Sequence, residues 1–117
     1  MSNSGLIDEQ TRGVYIISIT PFSENGSIDF KSVDSLVEFF LEKGVTGMTI
    51  LGMMGEATKL SANESEGFVN HVLKRVNGRV PVIAGVSDAG LANLVNLARF
   101  SMDAGCAGVM VAPVTGL

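Results

Sequence analysis

The residues whose types and spacing suit chemistry lie in one stretch, Gly52-Met53-Met54-Gly55-Glu56. An apolar run, Met48 to Leu51, leads into it, and a helix start follows within a few residues. Glycine carries no Cβ, so a ligand can approach the backbone closely there. The N–H groups of such a turn attract anions. Other groups are weaker candidates. Ser18 and Thr20 end the first apolar run and are placed either to line a pocket floor or to serve as structural hydroxyls. Glu56 fits a local cap or ion pair better than an acid–base role. His71 stands mid-helix beside an apolar face with no carboxylate partner in evidence. Cys106 follows Gly105 where a strand begins and reads as an inert buried thiol. Lys31, Lys43 and Lys74 fall on solvent-facing helix positions and Lys59 in a polar loop, so none is poised as a nucleophile.

These residues need elements to hold them. Val14 to Thr20 reads as a strand buried on both faces, ended by Pro21. Val33, Leu36, Val37, Phe40 and Leu41 share one face of a helix that begins near Asp29 or Ser32 and stops at Gly44. Asp34 and Glu38 fall on its other side. After the second strand, Ser61 and Glu64 form a capping box. The stripe Phe68, Val69, Val72, Leu73 and Val76 then predicts a helix ending at Gly78. Val80 to Val86 is a third strand. A third helix follows Gly90, with Leu91, Leu94, Val95, Ala98 and Met102 inward, and Ala107 to Ala112 is a fourth strand. Met1 to Arg12 reads as a flexible lead-in.

The order is β-α-β-α-β-α-β, which implies α/β class and a parallel sheet. Two architectures fit: a doubly wound sheet, or the N-terminal half of a (β/α)8 TIM barrel. The dinucleotide fingerprint is missing its middle glycine, because Ser87 stands between Gly85 and Gly90, and the stretch follows the third strand rather than the first. A barrel needs about 250 residues, so 117 residues form a single partial domain.

Bulk properties narrow the function further. With 46% hydrophobic and 17% charged residues the chain is a folding sequence. Its net charge of −4 and scattered cations argue against nucleic-acid or anionic-membrane partners. One cysteine allows no internal disulfide and fits the cytoplasm. No run reaches the roughly 18 apolar residues of a membrane span.

Several segments together carry a family resemblance: Thr20-Pro21-Phe22, Asn25-Gly26-Ser27-Ile28-Asp29, Leu51-Gly52-Met53-Met54-Gly55-Glu56, Lys59-Leu60-Ser61, Glu64 and Gly78-Arg79-Val80-Pro81-Val82-Ile83-Ala84-Gly85. In that order and spacing they resemble the N-terminal part of the dihydrodipicolinate synthase and N-acetylneuraminate lyase family. The resemblance implies a class I aldolase or lyase acting through a Schiff base on a 2-keto acid such as pyruvate. It implies no metal or organic cofactor, and a homo-oligomer (tetramer or dimer) when full length. It makes Thr20, Gly52, Met53 and Met54 the expected substrate-binding residues, with the loop holding the substrate carboxylate. The chain departs from the family in three ways. Met53 and Met54 stand where the family usually has hydroxyl residues. Pro113 is followed by Val114 and Thr115 rather than a tyrosine pair. No lysine lies in a strand, so the Schiff-base lysine is expected beyond Leu117 and no catalytic residue is expected within the chain. The alternative is a divergent barrel that binds a small carboxylic acid without catalysis.

Overall fold

In the computed structural model, which describes residues 5–112, four strands alternate with three helices. These are β1 (Tyr15–Ile17), α1 (Phe30–Glu42), β2 (Gly47–Ile50), α2 (Ala62–Val76), β3 (Val82–Gly85), α3 (Leu91–Ala104) and β4 (Gly108–Met110). All strand pairs are parallel, and the spatial order β1-β2-β3-β4 follows the chain. A doubly wound sheet would reverse direction about its first strand. Here α1 packs on α2 and α2 on α3, so the helices form one layer on one side. That is the arrangement of the N-terminal part of a TIM barrel, in which right-handed crossovers lay every helix outside a curved sheet.

The strand register separates two faces. Met48, Ile50, Val82 and Ala84 face the helices and are buried to 1% exposure or less. They meet Val33 and Val37 of α1 and Phe68, Val69, Val72 and Val76 of α2 in one core. The opposite face carries the aligned row Ile17, Thr49, Ile83 and Gly108. Thr49 is buried, but Ile17 and Ile19 at the β1 edge are each 47% exposed, and Met110 of β4 is 45% exposed. The expectation that β1 is buried on both faces is therefore corrected. On its covered side Ile16 packs against the core, and just past the strand the polar Ser18 and Thr20 are buried. Ile17 and Ile19 face the side that becomes the interior only when a barrel closes.

The helix boundaries follow local chemistry. The Asp29 carboxylate accepts from the Ser32 N–H at 3.1 Å, capping α1. Ser61 and Glu64 form the expected capping box on α2. Asn77 adopts the left-handed conformation at the α2 C-terminus, one residue before the predicted stop. The inward stripe assigned to α3 needs correction. Leu91 is 74% exposed and Met102 38%, whereas Leu94, Leu97, Ala98 and Phe100 pack on the core and Ser101 is its fully buried residue. No further helix packs on the outer flank of α3 among the described residues, so the stripe meets α2 on one side only. Part of the lead-in is tied down, with Ile7 N–H donating to the Ala107 carbonyl at 2.9 Å beneath β4.

Two further corrections concern α1 and α2. Asp34 and Glu38 turn toward α2 rather than away from it. Asp34 Oδ1 lies 2.7 Å from His71 Nε2, so the histidine does have a carboxylate partner. Phe30 stacks on the same imidazole with ring centroids 4.6 Å apart. Glu38 receives Arg75 Nε at 2.8 Å and Arg79 Nη2 at 2.8 Å. These partners lie 37 and 41 residues away, beyond the reach of a local pattern.

Two measurements test this account. Phe68→Ala removes a large, fully buried side chain and should lower unfolding stability by about 3–5 kcal/mol in urea titrations. The bond from Arg79, above all, holds the Glu38 carboxyl at about 2, below its ordinary 4.5. A carboxyl depressed in the folded state stabilises it above the unfolded pKa, and that contribution is lost as pH falls toward about 2. The stability gap between the wild type and Glu38→Gln should therefore shrink from about pH 6 to about pH 2 in urea titrations.

Candidate functional site

The loop at the end of β2 is built from strained and tightly bonded backbone. Leu51 adopts φ 59°, in the left-handed region, although it is a bulky residue at 2% exposure. Such a conformation costs roughly 1–2 kcal/mol and turns the chain sharply out of the strand. Gly55 N–H then donates to the Gly52 carbonyl at 3.1 Å and Glu56 N–H to the Met53 carbonyl at 3.0 Å. Glu56 is also left-handed, with φ 55°, and leads into a short 3₁₀ turn, Ala57–Lys59. Among the described residues, no acceptor is recorded for the N–H groups of Met53 and Met54.

Neighbouring strands hold both ends of this loop. From the β1 side, the buried Thr20 hydroxyl donates to the Gly55 carbonyl at 2.7 Å. From β3, Gly85 packs so closely that a Cβ there would collide with the Leu51 carbonyl oxygen. A Cβ on Gly55 would be tight against Leu51 and Thr20, at 3.2–3.3 Å. A Cβ on Gly52 would meet nothing within 4 Å. Gly52 therefore fronts open space and Gly85 is required by packing, while a side chain at Gly55 would need Leu51 and Thr20 to give by a few tenths of an ångström.

The expected site residues thus divide. Gly52, Met53 and Met54 stand together at the C-terminal end of the sheet, with Met53 94% and Met54 57% exposed. Thr20 lies directly beneath them with its hydroxyl committed to the loop. Ser18 is also buried, and its hydroxyl donates to the Ile19 carbonyl at 2.9 Å. Glu56 pairs locally with Lys59 at 3.0 Å. All four lysines are exposed and none is in a strand. Ser87, after β3, accepts the Ala112 N–H at 2.7 Å and ties the third and fourth strand ends together. The positioning roles of Leu51 and Gly85 had no signal of their own in the sequence, because both arise from contacts between strands.

Among the described residues no group of His, Cys, Asp and Glu could hold a metal ion. A concavity of about 500 Å³ lies at the opposite end of the sheet among Leu73, Pro81, Gly105 and Cys106. The loop itself sits on an open surface, with Met53 and Met54 exposed.

Residues 10–114 match the dihydrodipicolinate synthetase family. The chain belongs to that family. The fold agrees in detail. A dihydrodipicolinate synthase from Rhodopseudomonas palustris is 45% identical with a TM-score of 0.90, over 96% of this chain and 37% of that one. The 4-hydroxy-tetrahydrodipicolinate synthase of Kosmotoga olearia is 36% identical over 86% of this chain and 34% of its own length. A family member from E. coli K12, solved in complex with pyruvate, is 27% identical with a TM-score of 0.82, over 85% of this chain and 33% of that one. The chain thus spans about a third of the length of the relatives it matches. The departure at Pro113 to Thr115 lies outside the described residues.

Cys106 illustrates what lies away from the site. It is 2% exposed at the N-terminal end of β4, and burial pushes its thiol up to about 11. Iodoacetamide at about pH 8 should leave it unmodified in the folded chain and alkylate it once urea unfolds the protein. Rapid native-state labelling would contradict this placement.

Proposed function

We propose that this chain supplies the carboxylate-binding loop of a class I lyase or aldolase that acts on a 2-keto acid such as pyruvate. What carries the reading is the pair of N–H groups at Met53 and Met54, without recorded acceptors, at the C-terminal end of β2 in a chain of the dihydrodipicolinate synthetase family. Barrel enzymes place their chemistry at that end of the strands. Fixed N–H donors bind an anion without reorganising when it arrives. A relative solved with pyruvate is in keeping with this ligand class.

The residues in hand do not supply the covalent step. A Schiff-base lysine must be neutral, which requires a desolvated pocket. Lys31, Lys43, Lys59 and Lys74 are all exposed. In our reading the lysine comes from a later strand of a complete barrel, which acts as a homo-oligomer. Methionine at positions 53 and 54 removes the hydroxyl hydrogen bonds that the family loop usually adds, each about 1–3 kcal/mol to a charged partner. Proton relay through this loop is also removed, since a thioether carries no transferable proton. The same two residues favour a second reading, a barrel that binds a small carboxylic acid without forming a Schiff base.

Titrating the ¹⁵N-labelled chain with pyruvate should shift the Met53 and Met54 amide resonances first, and acetate should act in the same place. Borohydride added with pyruvate should leave all four lysines unmodified by mass spectrometry. A loop that does not respond to either acid refutes the carboxylate-loop assignment. A stoichiometric adduct on any lysine of this chain refutes the placement of the covalent machinery elsewhere.

A further inference from the structure

We propose that Thr20 is a positioning residue of the β2 loop rather than a ligand to the substrate. This rests on the carboxylate-loop reading above and extends it by saying what holds the donors in place. Thr20 is 3% exposed, and its hydroxyl is committed to the Gly55 carbonyl at 2.7 Å, a contact 35 residues apart in sequence. Gly55 is the far end of the turn whose near end is the left-handed Leu51. The Gly55 N–H closes that turn on the Gly52 carbonyl. One peptide segment is thus held on its N–H side by the loop and on its carbonyl side by β1. Leu51 is backed from β3 by Gly85, where no Cβ fits. Between these two fixed points lie only Gly52, Met53 and Met54.

The energetic logic runs through Leu51. A bulky residue in the left-handed region relaxes unless surrounding contacts over-determine it. Without the Thr20 hydroxyl, the buried Gly55 carbonyl loses its recorded partner, which favours loop conformations that expose it to water. In those conformations the Met53 and Met54 N–H groups no longer share one fixed geometry, and an anion must order them on binding. Thr20 thus acts on ligand affinity through the loop, with no contact to the ligand.

The test compares Thr20→Val, which keeps the shape and removes the donor, with Thr20→Ser, which keeps the donor. Amide hydrogen exchange on the labelled chain should show protection at Gly55, Glu56 and Ala57 falling about tenfold in Thr20→Val. Protection in α2 should be unchanged, and Thr20→Ser should restore the loop. Pyruvate-induced shifts at Met53 and Met54 should weaken in Thr20→Val and return in Thr20→Ser. Unchanged exchange in a folded Thr20→Val chain overturns the proposal. If pyruvate shifts nothing in the wild type, the carboxylate reading fails while the exchange comparison still decides the clamp. Should Thr20→Val not fold, the wild type decides the matter. A slowly exchanging Thr20 hydroxyl proton near Gly55 supports the bond, and a rapidly exchanging one overturns the proposal.

Discussion

A parallel sheet whose strands follow chain order must carry its connecting helices on one side. In this protein that constraint governs nearly everything else. The helices α1, α2 and α3 cover the face bearing Met48, Ile50, Val82 and Ala84. Among the described residues no helix covers the other face, which bears Ile17, Ile83 and Met110. Apolar side chains on both faces make sense only if the sheet curves until the second face becomes an interior. The Tyr15 to Ile19 run therefore looks like a strand buried on both sides, yet Ile17 and Ile19 are half exposed in this chain.

The same curvature brings the ends of successive strands close together, and the β2 loop depends on that proximity. Thr20, in the segment that follows β1, reaches Gly55, and Gly85 at the end of β3 backs Leu51. Neither contact could form if the three strand ends diverged. The loop is thus in contact with its neighbours at Leu51 and Gly55 and exposed at Met53 and Met54. Its exposed methionines give it an apolar surface over a polar backbone.

The helix layer is held by a second kind of contact. Asp34 and Glu38 of α1 meet His71, Arg75 and Arg79 across the α1–α2 boundary. These groups are partly exposed, so their contribution to stability is modest. Their geometry is specific, since Glu38 accepts two bonds from Arg79 at 3.1 and 2.8 Å.

The sequence by itself determined the element order, the start of α1 near Asp29, the capping box at Ser61, the core stripe of α2, the burial of Cys106 and the family. These follow from local periodicity, short-range hydrogen bonding and ordered motif segments, all legible along one chain. It also located the Gly52–Glu56 loop. Only the tertiary structure decided what holds that loop, which face of β1 is covered, where α3 turns its side chains, and that His71 has a partner. Each of these depends on residues distant in sequence, as with Thr20 and Gly55, 35 positions apart, and Asp34 and His71, 37 apart. No local pattern encodes such pairings, because they exist only once the strands are in register and the helices lie on one side.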